Sequence, residues 1–208
     1  MAFAHAQKAS LYSGKGQRKY LTPAERTRFL DAAWRCERAE LRTLCLTLAW
    51  SGCRISEALA LTKRCIEIED GFIAITTLKR RSSIPIIREI PIPPQLVAEL
   101  VAVHGIDGAH SDRKLWTLSR SRAWTLVKYL MRTACVAEGI HATPKGLRHG
   151  FGLHAIRCGV PLNLVQKWLG HARMETTAIY LQATGPEERE VAQRMWLQSS
   201  LCSLPSKL

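Results

Sequence analysis

The segment from Ala39 to Trp50 is apolar on most sides. Leu41, Leu44, Cys45, Leu46, Leu48 and Ala49 leave little polar face for water. A helix of that kind has to lie in the middle of a domain, with other elements packed around it. Ser51-Gly52 breaks it. The helix before it opens at Thr22-Pro23-Ala24-Glu25. There Thr22 can cap, Pro23 suits the first turn, and Glu25 stands three residues after the cap. That helix runs to about Cys36, with Leu21 and Arg26 at the flanking staple positions.

Around this pair the remaining pattern is mainly helical. Cys65 to Ile75 alternates about Asp70-Gly71, which signals a hairpin. Ile84 to Ile92 resumes the apolar alternation, and Pro91, Pro93 and Pro94 end it. Between them Thr76 to Ser83 forms a polar, basic turn. Gln95 to His104 reads as a helix. A further helix is capped by Ser119 and stopped by Gly139, with Ala123, Trp124, Val127, Leu130, Met131 and Ala134 as its apolar positions. The next runs from Thr143 to Gly159, and a short amphipathic one from Pro161 to Leu169. A last amphipathic helix starts at Pro186 and reaches about Leu197. The fold class is mostly α with a small antiparallel β-sheet (α+β). The division is a basic flexible arm at 1–19, one domain at 20–198 and a tail at 199–208; 208 residues suffice for one substantial core.

Thirty Lys and Arg against seventeen Asp and Glu give a net charge of +13. Such a surplus calls for a polyanionic partner, and charge alone fits DNA, RNA or an acidic membrane surface. No apolar run approaches the roughly 18 residues of a membrane span, and the first ten residues lack the apolar centre of a secretory signal. The seven cysteines are scattered without a CxxC pair, which favours a reduced, cytosolic protein over a disulfide framework. His154 and Cys158 are four apart, but no second pair completes a zinc site.

Several polar residues stand at helix starts, turns and stops. Arg54 follows the Gly52 turn, with Glu57 three residues on; a structural ion pair and an anion ligand are equally good readings. Lys145 and Arg148 share a face at a helix start. Stability alone favours acidic residues there, so two cations point to a bound anion. His171 comes directly after the stop at Gly170, and Tyr180 is nine positions later. Alone, each reads as a capping histidine or a buried tyrosine; together they can meet on one phosphate. Lys79, with Arg80 and Arg81, lies in the basic turn and either solvates its charge or reaches a ligand. Arg120, Arg122 and Lys128 give one helix a basic face, either solvated or set against phosphates. Two arginines, two lysines, an imidazole and a phenol, without a carboxylate cluster for metal, suit metal-free phosphoryl transfer. Guanidinium groups fork onto phosphate oxygens, a lysine protonates a leaving alkoxide, and a phenol attacks phosphorus.

Four segments carry this set: SGCRISEALAL at 51–61, TLKRR at 77–81, KGLRHGFGLHAI at 145–156 and LGHARMETTAIY at 169–180. In this order and spacing they closely resemble the tyrosine recombinase (phage integrase) family, from about Tyr20 to Trp196. The resemblance implies that Arg54 and Arg148 bind the scissile phosphate, supported by Glu57. It implies that Lys79 protonates the 5′ hydroxyl, that His171 is the late histidine, and that Tyr180 forms a 3′-phosphotyrosyl bond. His149 matches the second histidine of the His-x-x-Arg-His box. The first position of that box is Lys145, as in related type IB topoisomerases. The implied activity is site-specific recombination of double-stranded DNA without cofactors, by a homotetramer on synapsed duplexes, in the cytoplasm at the nucleoid. With about 20 residues ahead of the matching domain, the chain is similar to short recombinases without a core-binding domain, and an accessory protein or cooperative assembly is expected to compensate. Two other readings are a type IB-like topoisomerase and a catalytically silent DNA-binding accessory protein.

Overall fold

The computed structural model describes residues 10–77, 86–106 and 111–183, with Gln193 beyond them. The basic turn beyond Thr77, with the two residues after it, and the helix expected from Pro186 to Leu197, Gln193 apart, lie outside these residues, as do residues 1–9 and Cys202.

Helix α1 spans Pro23–Trp34 and opens with the expected reciprocal cap. The Glu25 N–H donates to Thr22 Oγ1 at 3.3 Å, and the Thr22 N–H donates to Glu25 Oε2 at 2.9 Å. Helix α2, Ala39–Ser51, is buried along nearly its whole length and ends at Gly52, whose φ of +61° suits a residue without a Cβ. A Cβ there would also collide with the Phe151 ring, 2.3 Å away. A short α3, Ile55–Ala58, leads through a 3-10 turn into the sheet. Strands β1 (Ile66–Glu67), β2 (Phe72–Thr76) and β3 (Ile87–Pro91) pair antiparallel in the order β1-β2-β3. Helices α4 (Pro94–His104), α5 (Arg120–Thr133), α6 (Pro144–Arg157), α7 (Leu162–Leu169) and α8 (Glu175–Ala178) follow, and a 3-10 turn, Ile179–Ala183, closes the described fold.

Three expectations for the strands and helices are corrected. Strand β1 is only two residues long, and Ile68 is exposed, because the chain turns away after Glu67. Helix α5 ends at Thr133 rather than near Gly139. Cys135 takes the left-handed conformation (φ +52°) that glycine usually supplies, and the Val136 N–H reaches back to Met131 O at 3.0 Å. Trp124 on α5 is 45% exposed rather than packed, with Lys128 Nζ 5.9 Å from its ring centroid.

The segment read as a flexible basic arm is folded from Ser10 onward. Tyr12 and Arg18 form a β-bridge, the Lys19 N–H donates to Leu11 O at 2.8 Å, and Arg18 forks onto Glu25 at 2.5 and 2.6 Å. That loop drives Leu11 into the interior.

Two apolar clusters result. The larger surrounds α2 and takes in Leu44, Leu46, Ile73, Ile75, Leu96 and Trp116. The smaller holds Leu11, Phe151, Ala155, Val165, Leu169, Ile179 and Tyr180. Helix α6 joins them, with Leu147 in the first and Phe151 in the second. Among the described residues no helix is long and apolar enough to cross a membrane.

Candidate active site

The end of α2, the start of α6 and the end of α7 converge where the two clusters meet. Helix ends leave carbonyl oxygens without partners inside the helix. Here a buried guanidinium takes two of them. Arg148 donates from Nη1 to Gly52 O at 2.7 Å and from Nη2 to Leu169 O. Burial and the nearby Arg54 charge lower Arg148 to about 10, so it stays protonated at neutral pH.

Arg54 caps α3 and grips its own helix. Its Nη1 meets Glu57 Oε1 at 2.6 Å, and its backbone N–H meets Oε2 at 2.9 Å. About a quarter of the Arg54 side chain remains accessible (26%), whereas that of Glu57 is fully enclosed. Arg88, from β3, also donates to Glu57 Oε2, from Nη2 at 2.5 Å. Burial pushes the Glu57 carboxyl up, but the Arg88 charge and the Arg54 and Arg88 hydrogen bonds hold it below the usual carboxylate range. It is therefore an anion. Arg54, Arg88 and Arg148 thus face a single carboxylate, a surplus of two positive charges. Charges withdrawn from water without partners are costly. An anion carrying one or two charges removes that cost.

The imidazoles and the phenol lie beside this cluster. Gly170 (φ +62°) ends α7 and turns the chain into His171, whose N–H donates to Gln166 O at 3.2 Å. His171 Nδ1 lies 3.0 Å from the Thr177 hydroxyl, which fixes the ring and leaves Nε2 for another partner. Burial, with Arg148 and Arg54 beside it, lowers His171 to about 3. On α6, burial and the Lys145 and Arg148 charges lower His149 to about 4. Both rings are neutral at pH 7.

Tyr180 is fully buried, and its hydroxyl is 3.1 Å from His149 Nδ1. Its ring lies against Gly152, where a Cβ would come within 2.5 to 2.9 Å, and is roughly parallel to the His171 ring at 18°. Burial pushes the phenol up to about 12, although Arg148 and Arg54 pull the other way.

Arg54, Glu57, Arg148, His149, His171 and Tyr180 are thus gathered in one place from four elements. Lys145 stands at the exposed start of α6, near enough for its charge to act on His149. Arg120 and Arg122 are exposed and Lys128 is half-buried on α5; none shares a hydrogen bond of this cluster. Lys79, Arg80 and Arg81 lie outside the described residues. His154 Nε2 and Cys158 Sγ are 3.6 Å apart, and among the described residues no three potential ligands gather around a metal position.

Sequence reasoning missed three residues. Arg88 carried a signal, since it alternates with Ile90 on β3 and so takes an inward position on a half-buried strand. Thr177 gave none beyond its place in a Thr-Thr pair. Lys19 had been assigned to a flexible arm, yet its charge acts on His149.

The chain is similar to known proteins over most of its length. A curated relative, the tyrosine recombinase XerA of Pyrococcus furiosus, is 32% identical over 168 residues, covering 77% of this chain and 56% of the relative. The chain therefore spans a little over half the length of that protein. Among solved structures, the XerH site-specific recombinase bound to difH substrate superposes with a TM-score of 0.68 at 20% identity, covering 93% of this chain and 62% of that one. The Tn1549 transposon integrase in complex with a circular intermediate DNA gives 0.62 at 21%, covering 85% and 65%. Identities this low show the shared fold. The phage integrase family itself matches residues 19–186, a stretch that opens at Lys19 and contains the guanidinium cluster, both imidazoles and Tyr180, so this chain belongs to the phage integrase family.

Proposed function

We propose that this domain cleaves and rejoins double-stranded DNA at specific sites through a 3′-phosphotyrosyl intermediate on Tyr180. The observation that carries the proposal is the buried surplus of guanidinium charge beside a sequestered phenol. Arg54 and Arg148 keep donors beyond those spent on Glu57, Gly52 and Leu169, and these fork onto the non-bridging oxygens of one phosphate. As the phosphorus becomes pentacoordinate its negative charge grows, and the two uncompensated cations stabilise it more than the ground state. His171 adds a hydrogen bond through Nε2, since Nδ1 is occupied by Thr177.

The phenol must lose its proton to attack. Its hydrogen-bond partner among the described residues, His149, sits at about 4 while the phenol sits at about 12, so direct transfer in the buried pose is steeply uphill. Leaving the apolar pocket removes the burial that raises the phenol and brings it towards Arg54 and Arg148, which favour the phenolate. Lys79 protonates the departing 5′ oxygen, and Lys145 supplies a cation at the rim. One phosphodiester is exchanged for another, so the bond energy is kept in the phosphotyrosine. Rejoining reverses the same steps without ATP, and no step requires a metal or other cofactor.

Arg80, Arg81, Arg120, Arg122 and Lys128 contact the DNA backbone, which makes binding salt-sensitive. Residues 20–198 form the catalytic unit, and it works as a homotetramer on two synapsed duplexes, with an accessory protein strengthening the DNA contacts, in the cytoplasm at the nucleoid. The Tn1549 structure, which holds DNA on the same fold, supports DNA as the partner. A second reading, a type IB-like topoisomerase, draws on Lys145 at the first position of the box.

The test is covalent trapping on nicked DNA from sequences flanking the gene, comparing wild type with Tyr180→Phe on a denaturing gel. A retarded band that requires Tyr180 is expected. Exchange between two duplexes then separates a recombinase from an enzyme that only relaxes supercoils. Protein that binds DNA and yields no band would point either to a missing partner or to a silent binder.

A further inference from the structure

We propose that Arg88 is a positioning residue that ties the Arg54–Glu57 pair to the turn carrying His171 and so fixes the spacing of the groups that grip the phosphate; this rests on the recombinase reading above. The side chain is 2% exposed and spends its guanidinium on three different elements. Nη2 reaches Glu57 Oε2 at 2.5 Å on α3, Nη1 reaches Thr77 Oγ1 at 2.8 Å after β2, and Nε reaches Trp168 O at 2.8 Å in the last turn of α7. The same guanidinium lies flat on Gly170, where a Cβ would come within 3.0 to 3.2 Å of Nη1, Cζ and Nε. The residue it touches is therefore the one directly before His171, and the carboxylate it holds is the one that orients Arg54.

Stability does not account for this arrangement. A buried ion pair is often no better than an apolar pair of the same volume. The inward position of Arg88 on β3 is one that the neighbouring Ile90 fills with a hydrocarbon. What an apolar side chain cannot do is join a carboxylate, a hydroxyl and a helix-terminal carbonyl in one plane. Arg148 makes a parallel connection from Gly52 O to Leu169 O. Adjacent carbonyls at the end of α7 are thus held by two guanidinium groups. One of them faces the phosphate, and the other is enclosed behind it.

The test is single-turnover cleavage of nicked DNA by wild type, Arg88→Met and Arg88→Lys, with DNA affinity and thermal melting measured in parallel. Misplacement of reacting groups by about 1 Å costs on the order of a hundredfold, so folded Arg88→Met is expected to cleave about a hundredfold more slowly at saturating DNA. DNA affinity should change little, and Arg88→Lys should recover only part of the rate. The pH profile should also move. Without Arg88 the Glu57 carboxyl rises, so the acid limb of the rate shifts towards neutral pH, which a purely structural role would not produce. Arg88→Met that stays folded, cleaves at close to the wild-type rate and keeps the wild-type pH profile would overturn the proposal. Should Arg88→Met fail to fold, Arg88→Lys decides, since one ammonium cannot reproduce the planar fork onto Glu57, Thr77 and Trp168, and a wild-type cleavage rate there would equally refute the linkage. Absence of the adduct in wild type would count against the recombinase reading instead. Arg88 would then be judged from amide hydrogen exchange at Gly170 and His171, whose N–H groups bond back to Lys167 O and Gln166 O; it speeds up in Arg88→Lys if the linkage holds and stays at the wild-type rate if it does not.

Discussion

Arg148 and His149 are neighbours on α6, yet they serve two regions built on different physics. Arg148 belongs to a lattice of charged hydrogen bonds in which Arg54, Glu57 and Arg88 bind one another and the ends of α2 and α7. Moving Glu57, Arg88 or Arg148 breaks several contacts at once. His149 belongs to a pocket where one neutral hydrogen bond and apolar packing hold Tyr180 on a short 3-10 turn. Moving Tyr180 breaks one hydrogen bond and gives up apolar contact. A phosphate site benefits from preorganisation, because groups already in place need no rearrangement as charge develops. A nucleophile gains from being withheld until substrate arrives. The fold gives each its own cluster and makes α6 the seam.

Four measurements break or sharpen this contrast. Glu57→Gln leaves Arg88 buried without a counter-charge and should cost about 3 to 5 kcal/mol in denaturant unfolding. A negligible loss would mean that the lattice is not rigid. Acidification attacks the pocket side. His149 and His171 sit near 4 and 3 in the fold against 6.5 for an ordinary histidine, so below pH 6.5 the unfolded chain takes up protons first. Stability should then fall with pH by up to about 1.4 kcal/mol per unit for each ring, and a His149→Gln His171→Gln variant should flatten that slope. Gly152→Ala inserts a methyl into the Tyr180 ring and should cost about 1 to 3 kcal/mol as an overpacking change. Since the ring is pushed out, the phenol pKa should drop towards 10 in a spectroscopic titration. Tyr180→Phe gives up one hydrogen bond and should lower stability by only about 1 kcal/mol, while abolishing the covalent adduct. A large stability loss there would assign Tyr180 mainly to the core.

The lattice and the pocket were also unequally legible in the sequence. The cap at Thr22, the buried helix α2, the stops at Gly52 and Gly170 and the pairing of Arg54 with Glu57 follow from local rules, and the structure has them. Arg88 escaped because its partners lie 11, 31 and 80 positions away, and no local rule connects them. The end of α5 was misplaced because the left-handed position fell to Cys135 rather than to Gly139. The early basic segment looked mobile from its composition. Its order comes from Arg18 on Glu25 and from Leu11 in the pocket cluster, both tertiary contacts. Whether Tyr180 was exposed or buried could not be read from its spacing to His171. That depends on Gly152, which leaves room for the ring.

The most direct measurement is the ionisation of Tyr180, followed by NMR with isotope-labelled tyrosine Cζ, in the free protein and on DNA that supports the adduct but carries an uncleavable linkage. The account predicts deprotonation near 12 in the free protein and a clear fall on DNA, because burial is relieved while Arg54 and Arg148 continue to favour the phenolate. A phenol that titrates identically with and without saturating DNA would contradict it, since the nucleophile would then never have left its pocket.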